Sequence, residues 1–475
     1  MIKISPAKII EQRSHIVPGK LKITEYFFEV PTHWHKPDSR PLRLFARSAR
    51  KAEKPIDPTT TSSDSDAADE EAKKQQQLPW LLFLQGGPGF GCRSPQDVGW
   101  TQQALDRGYQ VLMLDQRGTG LSSPVSASTL GLRGDDSTQA AYLKSFRADS
   151  IVRDAEAVRL ALTEGWPEEK RKWSVAGQSF GGFCITTYLS FYPEGLREAF
   201  YFGGLPPLVE EPDQVYRRTF AKLRERNEAY YRKYPEDVKR VRDVVKLLKR
   251  FGDSTVRLSG EGSLSARRFM QLGINFGFHG GFDMIHDIVL RCSNDLAVFG
   301  HLTRPTTSLI EQTMPFDDHI IYAILHEPIY CQGKPANWSA HRVQQTLDDF
   351  SLDKPSDSDS ASSSPLFFTG EMVFPWMLTD YTELRALAAV AEKLAADADW
   401  PTLYDEEQLA RNEVPAYAAV YMEDMYVDFG FSMETAGKIK GCKTFVTNVM
   451  YHDAVRSRMD EVWRNVWALR DDVID

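Results

Sequence analysis

Apolar and polar residues alternate along KLKITEYFFEVP (20–31) and RPLRLFARSAR (40–50), the period-two pattern of half-buried strands. THWHKPDS (32–39) between them predicts a turn. From residue 79 the pattern changes to continuous apolar runs: PWLLFLQGG, QVLMLDQRG, WSVAG and REAFYFGG. Runs of this kind are expected of strands covered on both faces of a parallel sheet. QQALDRGYQ, SIVRDAEAVRLALTEG (150–165) and SFGGFCITTYLSFYP separate them with helical patterns. In the second of these, Ile151, Ala155, Val158 and Leu162 fall on one side. The third is stopped by Pro193. Strands alternating with helices predict an α/β architecture, a mostly parallel sheet with helices on both faces.

The alternation stops at residue 206 and resumes with VPAYAAVYM (414–422, strand), SMETAGKIKG (432–441, helix), CKTFVTNVM (442–450, strand) and DEVWRNVWALRDD (460–472, helix). Residues 206–396 read as mainly helical. The chain therefore divides into a core, first part at 1–205 and second part at 397–475, interrupted by a helical cap domain at 206–396. A cap of this kind is expected to cover a site at the strand ends. Two stretches are polar and low in complexity, 51–78 and 351–365, and predict a disordered insertion and a flexible one.

At 475 residues the chain exceeds a single simple core, which agrees with two domains. Its net charge of -9 argues against a nucleic-acid partner. The densest basic run, 230–252, has acids mixed in and reads as a solvated helix face. The N-terminus carries no signal-like or membrane-spanning apolar run, and the five scattered cysteines include no CxxC. Both features point to a cytoplasmic protein with reduced thiols and no membrane partner. His33 and His35 form an H-x-H pair on the predicted turn without a third ligand nearby, so a surface turn is expected and no metal.

The chemistry gathers around Ser179 in Gly177-Gln178-Ser179-Phe180-Gly181. The motif follows a buried strand and opens a helix, as a nucleophile elbow requires. A serine nucleophile needs a histidine base oriented by an acid, and in this arrangement they follow in the order serine, acid, histidine. His452 is the candidate base beyond the cap. His279, His286, His301, His319, His326 and His341 lie within the cap and are expected to be structural or on its surface. Glu423, Asp424 and Asp428 compete for the acid. Asp424 stands at the expected strand end, 28 residues before His452, and is preferred; Asp428 is the alternative. The oxyanion hole is assigned to the backbone N–H of Phe180 and to Gly87 in LQGGPGFG (84–91). No cofactor is called for.

Together GGPG (86–89), DQRGTGLS (115–122), GQSFGG (177–182) and the late aspartate and histidine resemble the prolyl aminopeptidases, or proline iminopeptidases, of the α/β-hydrolase fold. FRADSIVRDAEAVR (146–159) and MYVDFGFSMETA (425–436) resemble the larger fungal and actinobacterial members. The resemblance implies an α/β-hydrolase core with an inserted cap, and release of an N-terminal residue, preferably proline, from peptides with a free N-terminus. Gln85 departs from the histidine that the family commonly places before Gly-Gly-Pro-Gly. The smaller bacterial members hold the substrate amine with cap glutamates. Glu327 and Glu371 are the candidates here, ahead of Glu210 and Glu211. An esterase or amidase with the same triad is the alternative activity, and a non-catalytic binding module is a third reading.

Overall fold

The structure is a computed structural model that describes residues 2–52, 77–250, 252, 255–314, 316–353 and 364–472. Most of the two low-complexity stretches, 53–76 and 354–363, lies outside the described residues. The strands are β1 (Lys8–Val17), β2 (Leu21–His33), β3 (Lys36–Lys51), β4 (Trp80–Leu84), β5 (Gln110–Asp115), β6 (Trp173–Gln178), β7 (Leu196–Phe202), β8 (Ala416–Tyr421) and β9 (Cys442–Thr447). They form one sheet in the order β1-β2-β3-β5-β4-β6-β7-β8-β9. The first three strands and the β3–β5 pair are antiparallel; the pairs from β5 through β9 are parallel.

The continuous apolar runs have the predicted consequence. Leu82 and Leu84 of β4 point to one face, against α2 (Ala148–Leu162) and α3 (Phe180–Phe191). Leu81 and Phe83 point to the other, where Trp100 of α1 (Trp100–Asp106) packs beside Trp463 and Trp467. The Trp463 ring lies 4.5 Å from Phe202 and the Trp467 ring 4.8 Å from Phe200, centre to centre. Each such ring removes about 150–250 Å² from water, on the order of 4–6 kcal/mol of hydrophobic stabilisation.

Between β7 and β8 the described residues are mainly helical. They include α4 (Asp213–Lys233), α5 (Asp237–Arg250), α6 (Gly281–Phe299), α7 (Ser339–Gln344) and α8 (Ala388–Ala395). After β8 come α9 (Phe429–Lys438), α10 (Ala454–Ser457) and α11 (Met459–Asp471).

Three expectations need correction, and one strand lies where none was expected. The 32–39 turn is shorter, because β2 runs to His33 and β3 begins at Lys36. The basic run 230–252 is two helices rather than one face, since Pro235 lies between α4 and α5 and cannot donate a helical hydrogen bond. Its α5 half buries Val241, Val244, Val245 and Leu248 and leaves most of its basic residues outward. The 432–441 helix begins earlier, at Phe429, because the Asp428 side chain accepts the Phe431 N–H at 2.9 Å and caps it. β1 was not anticipated. Nearly all its side chains are exposed, so backbone pairing with β2 makes the strand and leaves no alternation to read. Among the described residues no helix is long and apolar enough to cross a membrane.

Candidate active site

The parallel register decides where the site falls. Leu84 is level with Gly177, Gln178 with Phe202, and Tyr421 with Thr447, so β4, β6, β8 and β9 end along one edge. Open α/β sheets bind ligands at that edge. Ser179, immediately after β6, has φ 54° and ψ -127°, a backbone state that strains a residue with a side chain by about 1–3 kcal/mol. The turn is held closed from both sides: Ser179 N donates to Phe202 O at 3.1 Å, and Gly182 N donates to Ser179 O at 2.7 Å. The flanking glycines are sterically required. A Cβ on Gly177 would meet the Gly181 carbonyl carbon at 2.5 Å, and one on Gly181 would meet Leu84 O at 2.0 Å. Ser179 sits at the N-cap of α3, where unpaired N–H groups favour developing negative charge.

Asp424 and His452 meet above the sheet. Asp424 Oδ1 accepts the N–H groups of Tyr426 at 2.9 Å and Val427 at 3.0 Å, which leaves Oδ2 2.7 Å from His452 Nδ1. Both residues are buried. Gln178 Nε2 donates to the His452 carbonyl at 3.2 Å and ties its loop to the elbow. Burial alone would lower the imidazole pKa, but the Asp424 carboxylate, with help from the Glu371 charge, raises it above its ordinary value. The competing acids are engaged elsewhere: Asp428 caps α9 and pairs with Arg218 at 3.0 Å, and Glu423 faces Lys222. Among the described residues no hydrogen bond joins Ser179 to His452, yet both line one cavity of about 300 Å³. Such contacts commonly tighten only when substrate binds.

Gly86 and Gly87 also line this cavity, and a Cβ on Gly86 would stand 3.0 Å from Ser179 Cβ. Gln116 Nε2 donates to Gln85 O at 3.0 Å, and Asp115 accepts the N–H groups of Cys92 at 2.7 Å and Leu121 at 2.9 Å. The glycine loop is thus braced by the DQRGTGLS turn. Phe180 is buried at the start of α3, directly behind the serine.

The candidate amine anchors separate. Glu371 lines the cavity, its Oε2 3.5 Å from His326 Nε2, and Tyr322 O–H donates to its backbone carbonyl at 3.2 Å. Glu327 does not line it. Its oxygens accept the N–H groups of Ser339 at 3.0 Å and Ala340 at 2.8 Å at the start of α7, and burial pushes its carboxyl up to about 8 against that pull. Its place is the foot of a helix, so the expectation of a substrate contact is withdrawn. Glu210 pairs on the surface with Lys334 at 3.0 Å. His319, expected to be structural or on the cap surface, instead lines the cavity with its ring 4.0 Å from that of Phe90. His326 is buried beside Glu371. Of the wall residues that the sequence did not single out, Phe278, Phe316, Tyr322, Tyr426 and Arg456 are the most prominent. Arg456 had one available signal, its place four residues after His452; the aromatic residues had none. Glu236, Asp237 and His286 form a cluster of possible metal ligands away from the cavity, but Asp237 already takes Tyr230 O–H and Arg240.

The α/β hydrolase fold family matches residues 79–292. Across the whole chain, the similarity is to proline iminopeptidase aneH of Aspergillus aculeatus, 46% identical over 99% of both chains. The chain belongs to the proline iminopeptidase family. A second proline iminopeptidase, from Aeromonas sobria, is 37% identical over 96% of this chain and 99% of its own. A solved proline iminopeptidase from Mycobacterium smegmatis is 13% identical, covers 93% of this chain and 97% of its own, and has a TM-score of 0.40. The similarity to the two curated proline iminopeptidases runs across the residues between β7 and β8 as well as the core, so Glu371 and Arg456 lie within the matched span.

Proposed function

We propose that this proline iminopeptidase family member is a serine exopeptidase that releases an N-terminal residue, preferably proline, from peptides. The observation that carries the reading is the meeting of Ser179, the Asp424–His452 pair and Glu371 at one small cavity. Asp424 fixes Nδ1, so Nε2 is the nitrogen that takes the Ser179 proton. Ser179 Oγ then attacks the carbonyl carbon of the first residue. The oxyanion is received by the Phe180 N–H and the Gly86–Gly87 loop. Collapse breaks the C–N bond, and the leaving amine takes the proton from His452. Water, deprotonated by the same imidazole, hydrolyses the acyl-enzyme and regenerates Ser179. Glu371 pairs with the substrate's ammonium group, which would otherwise be desolvated without a partner. Phe278, Phe316, Tyr322 and Tyr426 offer apolar wall for a proline ring. The helical residues 206–396 act as the cap that limits substrate size.

A panel of aminoacyl arylamides, each with a free and a blocked amine, tests this. Proline with a free amine is expected to lead. Glu371→Gln is expected to lower kcat/KM for free-amine proline arylamide by about 10- to 100-fold, the range of one charge-assisted hydrogen bond. Blocked substrates turned over as well as free ones would favour the esterase or amidase reading.

A further inference from the structure

Glu371 answers one end of a peptide; the same cavity carries a cation for the other. Arg456 lines the wall on α10, four residues beyond His452. Its guanidinium lies 5.9 Å from the centre of the Phe278 ring. Among the described residues it has no carboxylate within ion-pair distance. The Arg456 side chain is exposed, and the negative charge that acts on it most is that of Asp453, whose Oδ1 already faces the backbone N–H of His279 at 3.1 Å and its ring Nδ1 at 2.7 Å. Arg93 adds a second positive charge to the same surroundings.

The position matters as much as the charge. The carboxyl carbon of a dipeptide lies two bonds from the scissile nitrogen, and that nitrogen is the atom His452 must protonate. A cation that meets this carboxylate therefore has to stand beside His452. The cavity, at about 300 Å³, is at the small end of the range of about 300–1,000 Å³ for ligand sites. We propose that Arg456 binds the C-terminal carboxylate of the substrate, so that the preferred substrates of this site are dipeptides with both termini free. This rests on the exopeptidase reading above. It gives the site a carboxylate for the ammonium end and a guanidinium for the carboxylate end, and a planar guanidinium can bind a carboxylate through two parallel N–H bonds.

The test compares kcat/KM for prolyl-alanine, prolyl-alanine amide and proline arylamide. The wild-type chain is expected to prefer the free acid over the amide by about tenfold or more, the effect of one charge-assisted contact. Arg456→Met should bring that ratio to within about twofold of unity, and Arg456→Lys, which keeps a point charge without the planar fork, should fall between. A wild-type ratio near unity overturns the proposal without any variant. So does an Arg456→Met chain that loses rate on all three substrates alike with the ratio kept, because that is a structural effect. Failure of the wild-type chain to hydrolyse proline arylamide at all would instead strike the exopeptidase reading itself.

Discussion

At the scale of single residues, Asp424 shows how backbone partners leave one side-chain atom free to act. Tyr426 N and Val427 N occupy Asp424 Oδ1, so Oδ2 is the atom left for His452. A pH profile follows from this pair. Burial lowers the His452 pKa and the Asp424 charge more than reverses it, so the folded value lies above that of a free imidazole, about 6.5. As the general base proposed above, His452 would work only when neutral. The rate should therefore fall as pH drops through this raised value, and the acidic limb of kcat/KM should lie above about 6.5. In Asp424→Asn burial is no longer opposed by that charge, so the limb should move to lower pH while kcat drops by about 10⁴. A limb that stays in place in this variant would contradict the pairing. Ser179 and His452 were legible because glycines at fixed spacing and a histidine after the last strand pattern are local signals. Arg456 and His319 were not, because their relevance depends on which segment faces them.

At the scale of elements, the two glutamates show how the same residue type divides its work. Glu327 and Glu371 both stand among aromatic residues in the sequence, and nothing local separates them. Glu327 is fixed at the start of α7, where it receives two backbone N–H groups. Glu327→Gln replaces one acceptor with a donor facing an N–H. It should lower unfolding stability by about 1–3 kcal/mol, with KM for proline arylamide kept within about twofold, as measured by denaturant titration and steady-state kinetics. The pH dependence of stability gives a second readout. A carboxyl whose folded pKa is raised to about 8 stays protonated in the folded chain after the unfolded chain has lost its proton. Its contribution is present at low pH and is lost as pH rises from about 4.3 toward that value. The glutamine variant should lack this slope. Helix starts such as that of α9 were misplaced for a related reason: Asp428 acts as a cap through a side-chain hydrogen bond that periodicity does not register.

At the scale of the whole molecule, Arg117 joins parts that are far apart in sequence. It is fully buried in the DQRGTG turn after β5 and bridges to Asp154 of α2 through Nε at 2.7 Å and Nη2 at 2.6 Å. Its Nη1 also donates to Thr32 O at 2.9 Å and Ser145 O at 2.8 Å, and Trp34 Nε1 donates to Asp154 Oδ1 at 3.0 Å. The β2–β3 hairpin, the turn that braces the Gly86–Gly87 loop and a core helix are thereby locked together. Asp154→Ala should strand a buried guanidinium and cost about 3–5 kcal/mol, seen as a lowered thermal midpoint of the whole chain. A loss below about 1 kcal/mol would mean that Arg117 is satisfied by its carbonyls alone. The sequence by itself determined the α/β alternation, the serine at the elbow after β6 and the order in which Asp424 and His452 follow it, since these rest on periodicity and on backbone conformations that only glycine permits nearby. Tertiary structure decided which acid meets His452, which of the two glutamates lines the cavity and which cation lines it too. Those choices depend on the register of parallel strands and the packing of helices from between β7 and β8, and no local pattern encodes either.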